Sequence, residues 1–304
     1  MHVYDLLVVG SAGADLVIGV DRRPAAGETV LGSGLVVRPG GKGAHQAVAA
    51  ARLGARTALL ARVGGDAYGQ LLLAELRAAG VDTVGVLVGD SPTGVAVITV
   101  DPSGAGGTVV SPGANARLSP ADIRAAGSLL SAARVVSVQL EIPMATVAAV
   151  VQARDPGTRV VLNASPPAPL PAAVLAACHP LVVDEREARS LLSGHPAADS
   201  ADPAVWASAL LSRGPRSVVV TRGSGALAAD HQGTVRVPGP PVGAVDSSGA
   251  GDAFAGALAL RLGRGDSLEG AVRYAVRVGA TVRARRGAQE SFPTEAELVA
   301  APDG

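Results

Sequence analysis

Ala244-Val245-Asp246-Ser247-Ser248-Gly249-Ala250-Gly251-Asp252-Ala253-Phe254-Ala255-Gly256-Ala257-Leu258 runs from a loop into a helix. From Asp252 onward, Phe254, Leu258 and Leu262 share one helical face, with small alanines and glycines between them. Gly249-Ala250-Gly251 therefore sits at a helix N-terminus. Backbone N–H groups there lack intrahelical acceptors, and the helix dipole adds partial positive charge. With almost no side chain in the way, a phosphate can approach the backbone closely. Asp252 places a carboxylate beside that anion site, which is unfavourable unless it serves chemistry. The natural task is to take a proton from a hydroxyl that attacks a phosphoryl group. Taken alone, a Gly-rich turn capped by Asp is the other reading of these residues.

On either side of this stretch, strands and helices alternate. Leu6-Leu7-Val8-Val9-Gly10 predicts a buried strand, with Ser11 to Asp15 opening into a ligand crevice at its end. Residues 16–40 break the rhythm: Leu16 to Val20 and Thr29 to Arg38 read as short strands around a Pro24 and Gly27 turn. Gly94 to Val100 is a further strand, Ser103 to Gly107 a turn, and Thr108-Val109-Val110 the return. These two insertions, about 16–40 and 91–111, are expected to form a small β-lid, an ordinary edge extension being the alternative. Pro39-Gly40-Gly41-Lys42-Gly43-Ala44-His45-Gln46 leads from a glycine turn into an Ala-rich helix. Ser119-Pro120-Ala121-Asp122 carries the hydroxyl, proline and acid of a helix start. Strands are expected at 134–139, 160–162, 181–183 and 217–221, a hairpin over 226–237, and a last long helix from Leu268 to about Arg285. The rhythm implies a mostly parallel sheet with right-handed crossovers. No fixed-period repeat or low-complexity linker marks a second domain, so residues 1–304 are expected to form one domain.

Composition narrows the class. The 304 residues are 48% hydrophobic but only 2% aromatic, which suits Ala-, Val- and Leu-rich helices packed on a parallel sheet. Net charge is zero without a basic run, against nucleic acid as a partner. Cys178 is the single cysteine, and no apolar run is long enough for a membrane span. These features predict a soluble cytoplasmic protein. Of 26 basic residues, Lys42 is the only lysine, against an evident bias to arginine. His2, His179, His195 and His231 have no metal spacing with each other or with Cys178.

Asp-Ser-Ser-Gly-Ala-Gly-Asp-Ala-Phe at 246–254 resembles the C-terminal signature of the ribokinase-like (PfkB) carbohydrate kinases. Gly40-Gly41-Lys42-Gly43-Ala44 with Gln46-Ala47 resembles their N-terminal one. Gly64-Gly65-Asp66 with Gly69, Thr93-Gly94-Val95-Ala96, Gly113-Ala114-Asn115-Ala116 and Gln139 to Pro143 stand between them in family order. The resemblance implies a three-layer α/β/α sandwich around a mostly parallel sheet, with a β-lid over the sugar. It implies Asp252 as general base and Gly249, Ala250 and Gly251 as anion hole. The sugar would be held by Asp15, Gly41, Lys42 and Glu141, with Gly13 and His45 against it. ATP would meet Asp184, Thr221, Gly223, Gly225, Gly249 and Gly251, with Mg²⁺ held through Glu187. Asp246, Ser248, Val282, Gly287 and Ser291 fall where related kinases bind K⁺, while Arg283, Arg285 and Arg286 read as a solvated basic face.

Departures bear on the acceptor. Asp184 stands where the family carries Asn, which puts affinity for Mg-ATP in question. Ribokinase-like enzymes acting on D-ribose usually carry Asn at the positions of Gly13 and His45. The expected activity is phosphorylation of a primary hydroxyl, D-ribose to ribose 5-phosphate first. Other pentoses, 2-deoxyribose, fructose or a nucleoside are the alternatives, and a catalytically silent sugar- or nucleotide-binding regulator is the reading from another class. A dinucleotide-binding oxidoreductase fits less well, since Gly10-Ser11-Ala12-Gly13 replaces Gly-x-Gly-x-x-Gly after the first strand. A homodimer is implied by the resemblance alone.

Overall fold

The computed structural model describes residues 2–102 and 106–300. In chain order its strands are β1 (Tyr4–Val9), β2 (Gly13–Gly19), β3 (Val36–Gly40), β4 (Thr57–Gly64), β5 (Val86–Gly89), β6 (Gly94–Val100) and β7 (Gly106–Ser111). They continue as β8 (Ala133–Gln139), β9 (Arg159–Asn163), β10 (Cys178–Asp184), β11 (Ser217–Arg222), β12 (Gly225–Asp230) and β13 (Gly233–Val237). Among the described residues, nine of these form one sheet in the order β13-β12-β11-β10-β9-β8-β1-β4-β5. It is parallel except at β11-β12-β13, the hairpin expected from the sequence.

β1 lies inside the sheet, between β4 and β8, and both its faces are covered. That is why it reads as a continuous apolar run rather than an alternating one. Leu6 and Val8 join the core beneath the helices Lys42–Arg52, Ala250–Gly263 and Leu268–Arg283. Leu7 and Val9 join the opposite core, beneath Met144–Ala153, Glu185–Leu191 and Pro203–Leu211. Two apolar layers separated by one sheet make the α/β/α sandwich. The expected helix start at Ser119 forms, with Ser119 and Asp122 capping it reciprocally, but the helix behind them stops at Ala125 and a second begins at Gly127.

A second sheet, β3-β2-β6-β7, stands apart and forms the lid. Its pairing starts earlier than the sequence suggests: Gly13 already pairs with Gly40 on one side and Gly94 on the other. A side chain at Gly13 would put its Cβ 2.7 Å from the Gly94 carbonyl oxygen, so the close pairing needs the missing side chain. Gly13 and Asp15 therefore lie on a lid strand, not in a crevice loop. Thr29 to Leu35 form no strand, contrary to the alternation there; an isolated bridge, Val20 to Gly32, and two hydrogen bonds between Ser33 and Gly19 tie them to the end of β2. Of the expected turn at Ser103 to Gly107, residues 103–105 lie outside the described part. β5 and the helix Glu295–Ala300 are further elements the sequence reading did not anticipate. Among the described residues, no helix is long and apolar enough to cross a membrane.

Cys178 opens β10 fully buried, with its Sγ 3.2 Å from the Val174 carbonyl oxygen. Burial pushes its thiol up to about 12, so almost no thiolate exists near neutral pH. The native protein is expected to resist a thiol-specific disulfide reagent and to take up one equivalent only after denaturation. Rapid labelling of the native protein would contradict this burial.

Candidate active site

Close helix packing assembles the centre of the site. The helices Lys42–Arg52 and Ala250–Gly263 approach so nearly that a Cβ at Gly256 would lie 2.5 Å from the Gln46 carbonyl oxygen. Their N-terminal turns thereby bring residues more than 200 positions apart into contact. Asp252, 7% exposed, accepts at Oδ1 from Gln46 Nε2 (3.3 Å). Its Oδ2 lies 3.4 Å from His45 Nδ1. Burial pushes the Asp252 carboxyl up, but the Lys42 charge, the His45 contact and Gln46 outweigh it and leave the group below its ordinary value. Asp252 is held ionised. The Asp252 charge in turn raises Lys42 against the effect of burial, with help from Glu141, Glu187 and Asp184.

Gly249 caps the helix in the left-handed region, φ 72° and ψ −2°. A side chain there would be strained and would place Cβ 2.9 Å from the Phe292 ring. The Ala250 N–H turns back to the Ser247 carbonyl oxygen at 3.2 Å. The N–H groups of Gly251 and Asp252, in the first helical turn, have no intrahelical acceptor. They, more than Ala250, are left free to meet an anion.

On the lid side, Glu141 is fixed by the Ser11 hydroxyl (2.5 Å) and the Lys42 N–H (3.0 Å). Ser11 also accepts from the Gly43 N–H at 3.2 Å, tying the glycine turn to the end of β1. Asp15 is raised by burial first, then by the Glu141 and Asp252 charges, partly offset by His45. Asp15, Glu141 and Asp252 thus supply hydrogen-bond acceptors near one another, with Lys42 as the donor, while both ring nitrogens of His45 face protein acceptors. That donor and acceptor set suits a polyol.

The other side of the helix start opens on a cavity of about 690 Å³ lined by Asp184, Thr221, Gly223, Gly225, Ala250 and Gly251, among others. A Cβ at Gly251 or Gly223 would meet nothing within 4 Å. Arg186, Arg189, Arg222 and Arg283 also line it. Arg283 does not sit on a purely solvated face as expected: its guanidinium donates to the Gly223 carbonyl across the cavity wall. Arg285 does point outward, towards Glu297 at 3.4 Å. Asp184 and Glu187 cap the helix that follows β10 reciprocally, each accepting the other's backbone N–H, at 2.7 and 2.8 Å. An Asp at this cap is favoured by the helix dipole, so the Asn-to-Asp departure is locally stable. Glu187 is raised chiefly by burial.

Asp246 accepts from the Ser248 N–H (2.9 Å) and the Gly287 N–H (3.0 Å), which brings the 246–248 loop against the end of the last long helix. Val282 and Ser291 lie on that same side, both buried. His179 bonds Ser217 at 2.8 Å and His195 caps a short turn, ordinary structural roles.

The sequence reading missed the support around these groups. Gln46 Oε1 accepts from Ser137 (2.8 Å) and from Gln139 (3.3 Å), which fixes the amide that holds Asp252. Asn115 accepts from the Ala12 N–H at 2.9 Å. The available signal was polarity out of place: His45-Gln46 inside an alanine helix, Ser137 and Gln139 inside a valine strand.

A buried carboxylate beside a helix N-terminus, with further carboxylates and Lys42 on one side and a large cavity on the other, is an arrangement that suits phosphoryl transfer to a hydroxyl. Comparison with known proteins agrees. The sequence matches the family described as pfkB family carbohydrate kinase over residues 4–295. It is 36% identical over 297 residues to the ribokinase of Bacillus subtilis (strain 168), covering 97% of this chain and 98% of that protein. It is 33% identical over 294 residues to the deoxyribokinase of Salmonella typhi, covering 95% and 96%. Among solved structures, a ribokinase from Thermotoga maritima superposes with a TM-score of 0.90 at 32% identity, covering 97% and 98% of the two chains. An Arabidopsis thaliana ribokinase complexed with ribose and ATP gives 0.88 at 29%, covering 99% and 98%. The chain belongs to the pfkB family of carbohydrate kinases.

Proposed function

We propose that this chain is an ATP-dependent sugar kinase that transfers the γ-phosphoryl group to a primary hydroxyl, D-ribose to D-ribose 5-phosphate. The observation that carries the reading is the buried, ionised Asp252 at the mouth of the Gly249 to Gly251 helix start. The curated ribokinases at about this level of similarity support ribose as acceptor. The Arabidopsis complex supports ATP as donor.

Asp252 takes the proton of the attacking hydroxyl, and the helix start stabilises charge on the phosphoryl oxygens. Asp15, Gly41, Lys42 and Glu141 orient the sugar, with Gly13 and His45 against it. Asp184, Thr221, Gly223 and Gly225 border the nucleotide. Among the described residues, no three His, Cys, Asp or Glu side chains gather as a metal cage. Glu187 would hold Mg²⁺ through water rather than as a direct ligand, which fits that composition. For K⁺, Asp246, Ser248, Val282, Gly287 and Ser291 offer oxygen donors only, as a hard monovalent cation requires. Mg²⁺ would neutralise phosphate charge, and K⁺ would steady the anion hole through the 246–248 loop.

Residues 1–304 form a single kinase domain in this reading, with about 16–40 and 91–111 as lid. A homodimer through the lid is supported by its outer face. Val37, Leu16, Val97 and Val109 are cross-strand neighbours over all four strands, on the side opposite Asp15, and Val109 is 73% exposed. A cytoplasmic location accords with the lone thiol.

The test is ADP release with Mg-ATP and K⁺ across ribose, 2-deoxyribose, other pentoses, fructose and nucleosides, with Asp252→Asn as blank. The highest kcat/KM is expected for ribose. The second reading is 2-deoxyribose, favoured by the side-chain-free Gly13 and by the similar deoxyribokinase. Turnover with none of the acceptors would favour a binding regulator.

A further inference from the structure

Both ring nitrogens of His45 face groups that only accept: Nδ1 the Asp252 carboxylate at 3.4 Å, Nε2 the Pro39 carbonyl oxygen at 3.3 Å. A neutral imidazole carries one N–H, so one nitrogen lone pair would point at an acceptor. The imidazolium alone satisfies both contacts. The ring is buried, its edge against Phe292 with centroids 5.9 Å apart, so water does not replace either bond.

The charges facing it come from every neighbouring element. Asp252 stands on the helix packed alongside, Asp15 on the lid strand and Glu141 beyond β8; Lys42 opposes them one turn back on the same helix, and Arg38 lies on β3 towards Asp15. Burial acts to lower His45, and Asp252, Asp15 and Pro39 together raise it above its ordinary value.

We propose that His45 is a positioning residue which, as an imidazolium, clamps the catalytic carboxylate to the glycine turn and makes turnover depend on its own proton. The proposal rests on the assignment of Asp252 as base. Deprotonation breaks one of the two contacts. Either Asp252 loses a donor, or the Pro39 carbonyl is released beside Gly40 and Gly41. The carboxylate becomes more basic, but a loose phosphoryl transition state asks little of base strength and much of position. The clamp therefore outweighs the gain in basicity, and the rate falls as His45 loses its proton. An Asn at this position would donate to Asp252 at any pH.

The experiment compares pH profiles of kcat/KM for ribose in wild type and His45→Asn, with Mg-ATP saturating. The wild type is expected to fall at least about tenfold across one alkaline ionisation. His45→Asn is expected to lack that limb, whatever its plateau. Nitrogen-detected NMR of the ligand-free protein supplies a readout independent of activity. Both ring nitrogens should carry protons at neutral pH, and Asp252→Asn should move the His45 midpoint down. An alkaline limb that persists in His45→Asn, or a singly protonated ring at neutral pH, overturns the proposal. An Asp252→Asn enzyme that keeps wild-type kcat instead overturns the assignment beneath it.

Discussion

Asp252→Asn is expected to lower kcat by about 10²–10⁴-fold, the range for loss of a positioned general base, with nucleotide binding retained. The substitution keeps the shape of the side chain. It also keeps an oxygen to accept from Gln46 Nε2, whose own position is fixed by Ser137 and Gln139. It removes the ability to take a proton. It also removes a negative charge beside the anion-binding helix start, so KM for ATP should stay level or fall. Lys42 loses the largest influence holding it protonated, and His45 loses one acceptor. A modest drop in Tm should therefore accompany the loss of rate. Kinetics measured well below the Tm, with the folded fraction followed by circular dichroism on the same sample, separate the two effects, since unfolding lowers the folded fraction while a missing base lowers kcat in fully folded protein. Wild-type kcat in this variant would take Asp252 out of the chemistry.

How much of this site the sequence exposed depends on how local each part is. The Gly249 to Asp252 turn is contiguous, and its chemistry follows from one helix start. β1 is equally legible, because a strand with neighbours on both sides must be apolar throughout. The contact between His45 and Asp252 spans 207 positions, and it exists because Gly256 lets two helices meet. No window of sequence contains that fact. Strand order is hidden for the same reason: β1 lies between β4 and β8 through crossovers whose lengths do not reveal which edge they reach. Arg283 shows the limit of periodicity. Its helical position marks a polar face, yet the 222–225 turn folds over that face and makes it a cavity wall. The lid was misjudged at Thr29 to Leu35 because alternating small and apolar residues look like a strand whether or not a partner strand lies alongside. Asp184 is the opposite case. The substitution puts affinity for Mg-ATP in question from sequence, and the structure adds that the carboxylate caps the following helix, a place that helix electrostatics favour.

Gly251→Val should fold normally and lose most of its activity, a pairing that separates the two glycines of the turn. At Gly249 the backbone is left-handed and Phe292 blocks a Cβ, so substitution there strains the helix start and confounds stability with function. At Gly251 the backbone is helical, and a Cβ meets nothing within 4 Å. Replacing a glycine inside a helix costs no stability on backbone grounds, because glycine is the poorer helix former by up to about 1 kcal/mol. The valine methyls would instead stand in the cavity in front of the N–H groups of Gly251 and Asp252. A transferring phosphoryl group would be held off those donors. Losing one donor of this kind costs about 10²–10³-fold in kcat, and kcat/KM for ATP should fall by at least that factor. Thermal denaturation and ADP-release kinetics on the same preparation decide the matter. A large fall in Tm would mean that Gly251 is needed for folding. Full activity with an unchanged Tm would mean that the phosphate does not approach this end of the helix, and the anion hole would have to be sought elsewhere on the cavity wall, among Arg186, Arg222 and Arg283.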